Sequence, residues 1–165
     1  MFCRTDKRGF PVMNAIVAVI TIAMATNLHA KTLSFPSFQI EVPADWEHSI
    51  ESDPADHPGN VARLRDPDRP GNLKLLSYDA PVLVGKEKLR NMTNMDASIP
   101  LNWQQWGDYS GYEYNYVERG SFYRQWWLVN GRALIFITYQ SDPESKDSDT
   151  AQIDRIVRSI TAMPH

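Results

Sequence analysis

The chain has 165 residues, 42% of them hydrophobic and 22% charged, with a net charge of −3. That is the length of one ordinary domain with a globular composition, which excludes an intrinsically disordered chain. The acidic balance argues against nucleic acid or an anionic membrane surface as partner.

The first thirty residues differ from the rest. Arg4, Lys7 and Arg8 precede an apolar run, Asn14 to Thr26, and the small residue Ala30 closes the segment. Ala23-Met24-Ala25 offers a second small-x-small site. This layout predicts a cleavable secretory signal over 1–30 and a single domain over 31–165. The run is shorter than the roughly 20 apolar residues of a spanning helix, so stable membrane insertion is not expected. Met13 is an alternative start to Met1. The one cysteine, Cys3, stands before the apolar run, the wrong side for lipid attachment, and the remainder can form no disulfide. Without 1–30 the chain keeps 14 basic and 19 acidic residues, a net charge of −5. That charge is compatible with a basic protein partner.

Along the remaining chain, Phe38, Ile40 and Val42 alternate with polar residues and predict a strand ending at Pro43. A turn over Ala44 to Trp46 leads into a second strand, Trp46 to Ile50. Residues 51–60, rich in proline and acids, read as a loop. Strands follow at Val61 to Arg65 and Asn72 to Ala80, separated by the turn-rich Asp66 to Gly71. Gly85 to Met95 reads as a helix with Leu89, Met92 and Met95 on one side. Asn102 to Asp108 carries no clear pattern. Ser110 to Glu118, Ser121 to Val129 and Ala133 to Gln140 read as strands. Asn130-Gly131 between the last two suits a type I′ turn. Both faces of the last two strands are apolar, which predicts central strands covered on both sides. The last element is an amphipathic helix with Ile153, Ile156, Val157 and Ile160 in its stripe, and Asp149 with Gln152 forming a capping box. The order is α+β with a largely antiparallel sheet.

Three groups of residues are candidate sites. Trp103, Trp106, Tyr109, Tyr112, Tyr114 and Tyr116 form an aromatic cluster, and large amphipathic rings are common at binding hot spots. The competing reading is burial under a helix. Asp142, Glu144, Asp147 and Asp149 are carboxylates suited to calcium, but their spacing is not that of an EF-hand, and a solvated loop is the competing reading. Glu51, Asp53, Asp56 and His57 mix acids with a histidine, yet no second histidine or cysteine stands at zinc spacing, so a polar loop is the competing reading, and such an acidic loop also suits a basic partner. No metal and no cofactor are expected. Catalytic motifs are also absent. There is no Gly-x-Ser-x-Gly, His-Glu-x-x-His or phosphate loop, and beyond residue 30 the only histidines are His48, His57 and His165.

Phe38-x-Ile-x-Val-Pro-x-x-Trp46, the Trp-rich strand turning through Asn-Gly into a strand ending Thr138-Tyr139, and the closing Ile-Val-Arg-Ser-Ile160 together resemble the Mog1/PsbP-like domains, including their bacterial DUF1795-type relatives. The resemblance covers most of Phe35 to Met163. It implies an α/β/α sandwich around an antiparallel sheet, no shared catalytic residues, and work as an adaptor. With the signal, it implies an exported, non-enzymatic periplasmic protein that binds a protein partner. One such role is an immunity protein that plugs a secreted toxin with an acidic face. An envelope assembly factor is the alternative, and a hydrolase with paired carboxylates a third.

Overall fold

The structure is a computed structural model, and it describes residues 30–52 and 59–163. The segment predicted as a signal thus lies outside the described residues apart from Ala30, and so do Asp53, Asp56 and His57. Among the described residues no helix is long and apolar enough to cross a membrane.

The described residues open with two antiparallel strands, β1 (Ala30–Ser34) and β2 (Phe38–Pro43). The first was not expected from sequence, because its leading residue reads as the end of the signal. In β2, Phe38, Ile40 and Val42 point inward and are fully buried, as their alternation predicts. Pro43 ends the strand, and the Trp46 amide donates to the Pro43 carbonyl (3.2 Å). This turn buries the Trp46 ring and carries the chain from one sheet to another.

The second sheet is large. It contains β3 (Glu47–Ser52), β4 (Gly59–Arg65), β5 (Asn72–Asp79), then α1 (Lys86–Met92), and returns through β6 (Trp103–Trp106), β7 (Tyr109–Glu118), β8 (Ser121–Asn130) and β9 (Ala133–Ser141). A 3-10 turn, Pro143–Ser145, leads into α2 (Lys146–Arg158), and β10 (Thr161–Ala162) follows. The large sheet has seven antiparallel strands in the order β3-β4-β5-β9-β8-β7-β6. The small sheet has the order β1-β2-β10. The predominantly antiparallel α+β reading therefore holds. The segment without a clear pattern, 102–108, supplies the edge strand β6.

The pairing register divides the large sheet into two faces. One face carries Leu64, Leu73, Leu75, Trp126, Leu128, Ile135 and Ile137, and packs against β2, Trp46 and the stripe of α2 as one core. The other face carries a smaller cluster, in which Tyr112, Val129 and Leu134 lie under Ala80, Val84 and Leu89. The covering of the large sheet is thus asymmetric. Its main layer is helix plus small sheet, whereas the second layer is a helix of seven residues that buries only Leu89. Met92 is exposed, against the predicted stripe, because the helix ends there and Asn94 turns the chain through φ 52°. The expectation of strands covered on both sides is met only near α1.

Two turns also differ from the sequence reading. The register pairs Asn130 with Ala133, so the loop is Gly131-Arg132 and only Gly131 has positive φ (64°). That is the pattern of a type II′ turn. The type I′ pattern appears at β7–β8 instead, where Arg119 (φ 49°) and Gly120 (φ 79°) are both left-handed. Helix α2 begins before Asp149, because Pro143 and the Ser145 amide bond to the Asp142 carbonyl (3.0 Å) start the winding early. Asp149 is therefore not the cap. It lies four residues before Ile153, on the buried stripe.

Candidate binding surface

The six aromatic candidates do not share one surface. Trp106 and Tyr109 pair across the β6–β7 turn and point into the main core, where both are buried. The Tyr109 hydroxyl donates to the Ser37 carbonyl (3.0 Å), tying β7 to the loop before β2. These two residues are structural, which corrects the grouping. Their place follows from strand parity: Tyr109 is odd in β7, whereas Tyr112, Tyr114 and Tyr116 are even and face the other way.

The other four do share a face. Tyr112 is buried beneath α1, where its hydroxyl donates to the Lys86 carbonyl (3.2 Å), and Trp103 packs edge-on against its ring at 5.2 Å. Beyond the end of α1 the face opens. Tyr114 and Tyr116 stack at 5.7 Å, and Tyr116 stacks on Tyr123 across the strand pair at 5.1 Å. All three are half-buried. Rings stacked in this way spend their faces on each other and turn edges and hydroxyls outward. None of the three hydroxyls has a hydrogen-bond partner among the described residues. Burial first, then the charges of Glu118, Tyr123 and Tyr114, holds the Tyr116 phenol above its ordinary pKa.

The row continues through Gln125, Trp127, Thr138 and Phe136, each half-buried. Phe136 lies 5.5 Å from Tyr78. Here the face dips into a groove of about 580 Å³ between α1 and the sheet. Leu76, Tyr78, Leu134 and Phe136 line it from the sheet, and Val84, Lys88 and Met92 from the α1 side. Size and apolar lining are in the range of natural ligand sites. Tyr123, Trp127, Phe136 and this groove were not among the sequence candidates. Strand pairing joins them to Tyr114 and Tyr116, and pairing leaves no local trace in a sequence.

The acidic candidates behave differently. Glu51 is exposed on the edge strand β3 and faces Arg63 at 3.8 Å, both side chains more than half exposed. Asp149 is turned inward. Its carboxylate accepts from the Tyr139 hydroxyl (2.5 Å) and from Arg69 (2.9 Å), and is thus engaged in the protein's own fold. Among the described residues no three His, Cys, Asp or Glu side chains come together in a way that could hold a metal ion. A second internal network joins the layers. Arg124, buried on the core face of β8, donates to Glu113 on β7 and to Asp154 on α2 (2.6 Å), with its guanidinium over the Trp126 ring at 4.6 Å.

No protein-family profile and no curated protein sequence matches the chain. Solved structures do. Cyanobacterial PsbP (CyanoP) from Synechocystis sp. PCC 6803 superposes with a TM-score of 0.60 at 14% identity, over 88% of this chain and 99% of its own. The fold is PsbP-like. LpqN, involved in cell envelope biogenesis of Mycobacterium tuberculosis, gives a TM-score of 0.50 at 14% identity, over 82% of this chain and 92% of its own. A Bacteroides thetaiotaomicron protein gives 0.56 at 16% identity, over 78% of this chain. This PsbP-like chain spans only 46% of that protein's length. At these identities the likeness is one of fold.

Proposed function

We propose that this chain is an exported, non-enzymatic module that binds a protein partner through the open half of the α1 face. The observation that carries the reading is the half-buried row from Tyr114, Tyr116 and Tyr123 to Phe136, which ends in an apolar groove. Isolated exposed apolar side chains are ordinary, whereas a contiguous aromatic face with free hydroxyls is the composition of interface hot spots. The export assignment rests on the layout of residues 1–30, and membership of the DUF1795-type group rests on the sequence resemblance.

Within that class we favour a periplasmic immunity protein that blocks a secreted toxin. A role in envelope assembly is the second reading, favoured by the fold shared with LpqN. The test is affinity capture from a periplasmic extract with the wild-type protein and with Tyr114→Ala/Tyr116→Ala as paired baits. The expected outcome is one stoichiometric partner, depleted at least about tenfold with the double variant, as a loss of about 1.4 kcal/mol or more would give. A partner retained in full by the variant would remove the docking role from this face. If the partner is a hydrolase whose activity falls on binding, the immunity reading stands; an envelope subunit replaces it with the assembly reading.

A further inference from the structure

Charge is unevenly divided over the molecule, and the docking face does not share the acidity of the chain. By register, β4, β5, β9 and β8, four of the five inner strands of the large sheet, direct only three charged side chains to the α1 face: Arg63, Arg65 and Lys74. All three are positive and exposed. Lys74 stands two residues from Leu76 on the groove floor, beside Thr138 in the register, and thus on the same surface. Lys88 borders the groove from α1. Lys74, Arg65 and Lys88 make no ion pair among the described residues. The carboxylates of this side are Glu47 and Glu51 on the edge strand β3, Glu118 at the far end of β7, Glu87 on α1 near Tyr112, and Asp79, which lines the groove opposite in sign to Lys88.

Resting on the docking role proposed above, we infer that the partner meets this face with an acidic segment carrying a large apolar side chain. The apolar side chain enters the α1 groove, and flanking carboxylates meet Lys74, Arg65 and Lys88. An apolar body alone does not distinguish partners, and the cations supply the discrimination. The surface thus selects a partner of opposite sign to the one that net charge suggests. Apolar insertion accounts for most of the affinity, because a buried aromatic or aliphatic anchor is where interface energy concentrates. The cations set sign and salt dependence, because exposed charges are screened.

The experiment uses three fluorescein-labelled peptides of equal length with the same two apolar residues. They are flanked by Asp and Glu, by Ser and Gln, or by Lys, and binding to the purified protein is read by anisotropy. The acidic peptide is expected to bind at least about tenfold more tightly than the neutral one, and to weaken several-fold between about 50 and 300 mM salt. Lys74→Glu/Lys88→Glu, two exposed positions whose change leaves the core intact, is expected to abolish or reverse that preference. Equal affinity for the three peptides, preference for the basic one, or no binding by any at about 1 mM overturns the inference. So does an acidic preference that survives the charge reversal. The two failures are distinguishable. A captured partner lost by the tyrosine double variant but kept by Lys74→Glu/Lys88→Glu sinks the charge inference alone. A partner kept by both variants sinks the docking face as well.

Discussion

Tyr139 and Asp149 show how far a single residue escapes local reading. Asp149 precedes Gln152 by three and an apolar stripe begins at once, so the pattern is that of a capping box. The chain winds into the helix earlier, and the same carboxylate becomes the buried acceptor for Tyr139 and Arg69. Gly71 belongs to this contact, since a Cβ there would meet the Tyr139 hydroxyl and ring. Tyr139→Phe keeps the shape and removes one bond to a buried charge, which is expected to cost about 1–3 kcal/mol in urea unfolding. The pH dependence has a definite sign. Burial first, and the bond to Asp149 next, push the Tyr139 phenol well above its ordinary 10.0. The folded state holds this proton more tightly than the unfolded chain. Its contribution is complete below about pH 10 and is lost as pH rises from there toward the folded value. Absorbance titration of phenolate is therefore expected to show a class of tyrosines that ionises only with alkaline unfolding. Tyr109 and Tyr112, which burial also raises, belong to that class.

At the scale of elements the sequence was most legible where period and partner agree. β2, β5, β7, β8 and β9 were all visible, because each alternates or runs apolar over several residues and each is bordered by turn chemistry. The failures have physical causes. β6 is short, and its WQQW pattern shows one aromatic to each face, so it carries no stripe. β1 begins in residues whose composition suits a signal. The Asn-Gly pair was a sound hairpin signal with the wrong register, since one residue of shift moves the turn from Asn130-Gly131 to Gly131-Arg132. The β7–β8 hairpin instead places Arg119 where both central residues are left-handed, a conformation that costs a residue with a Cβ on the order of 1 kcal/mol. Its ion pair with Glu118, at 4.0 Å and largely solvated, offsets little of that. Arg119→Asn is expected to raise stability by roughly 0.5–1 kcal/mol, seen as a higher urea midpoint at unchanged slope. A lower midpoint would mean that the turn is not strained at this residue. The open α1 face was half legible for a related reason. Alternation places Tyr112, Tyr114 and Tyr116 together, but only the sheet sets Tyr123 beside them and puts Phe136 and Lys74 on the same face.

For the molecule as a whole, protection should follow the order of strands. β9 and β8 stand inside the large sheet with partners on both sides, whereas β3 and β6 form its edges. Hydrogen exchange is expected to be slowest at Ile135 and Ile137 and fastest along β3, with α1 opening before α2 because it buries one residue. Uniform exchange across all strands would contradict this gradient. The small sheet has a different consequence. Its central strand β2 receives β1 on one side, from the first described residues, and β10 on the other, from nearly the last. The Ser159 hydroxyl fastens the same strand, accepting from the Glu41 amide at 2.8 Å. One side of β2 therefore waits for residues 159–162 to be made, however early the rest of the chain emerges. A ribosome-bound nascent chain that stops short of them can form the hairpins of the large sheet and α2 but leaves Phe38 and Gln39 without their partner strand and the Glu41 amide without its acceptor. Completion of the small sheet is thus a late event in synthesis.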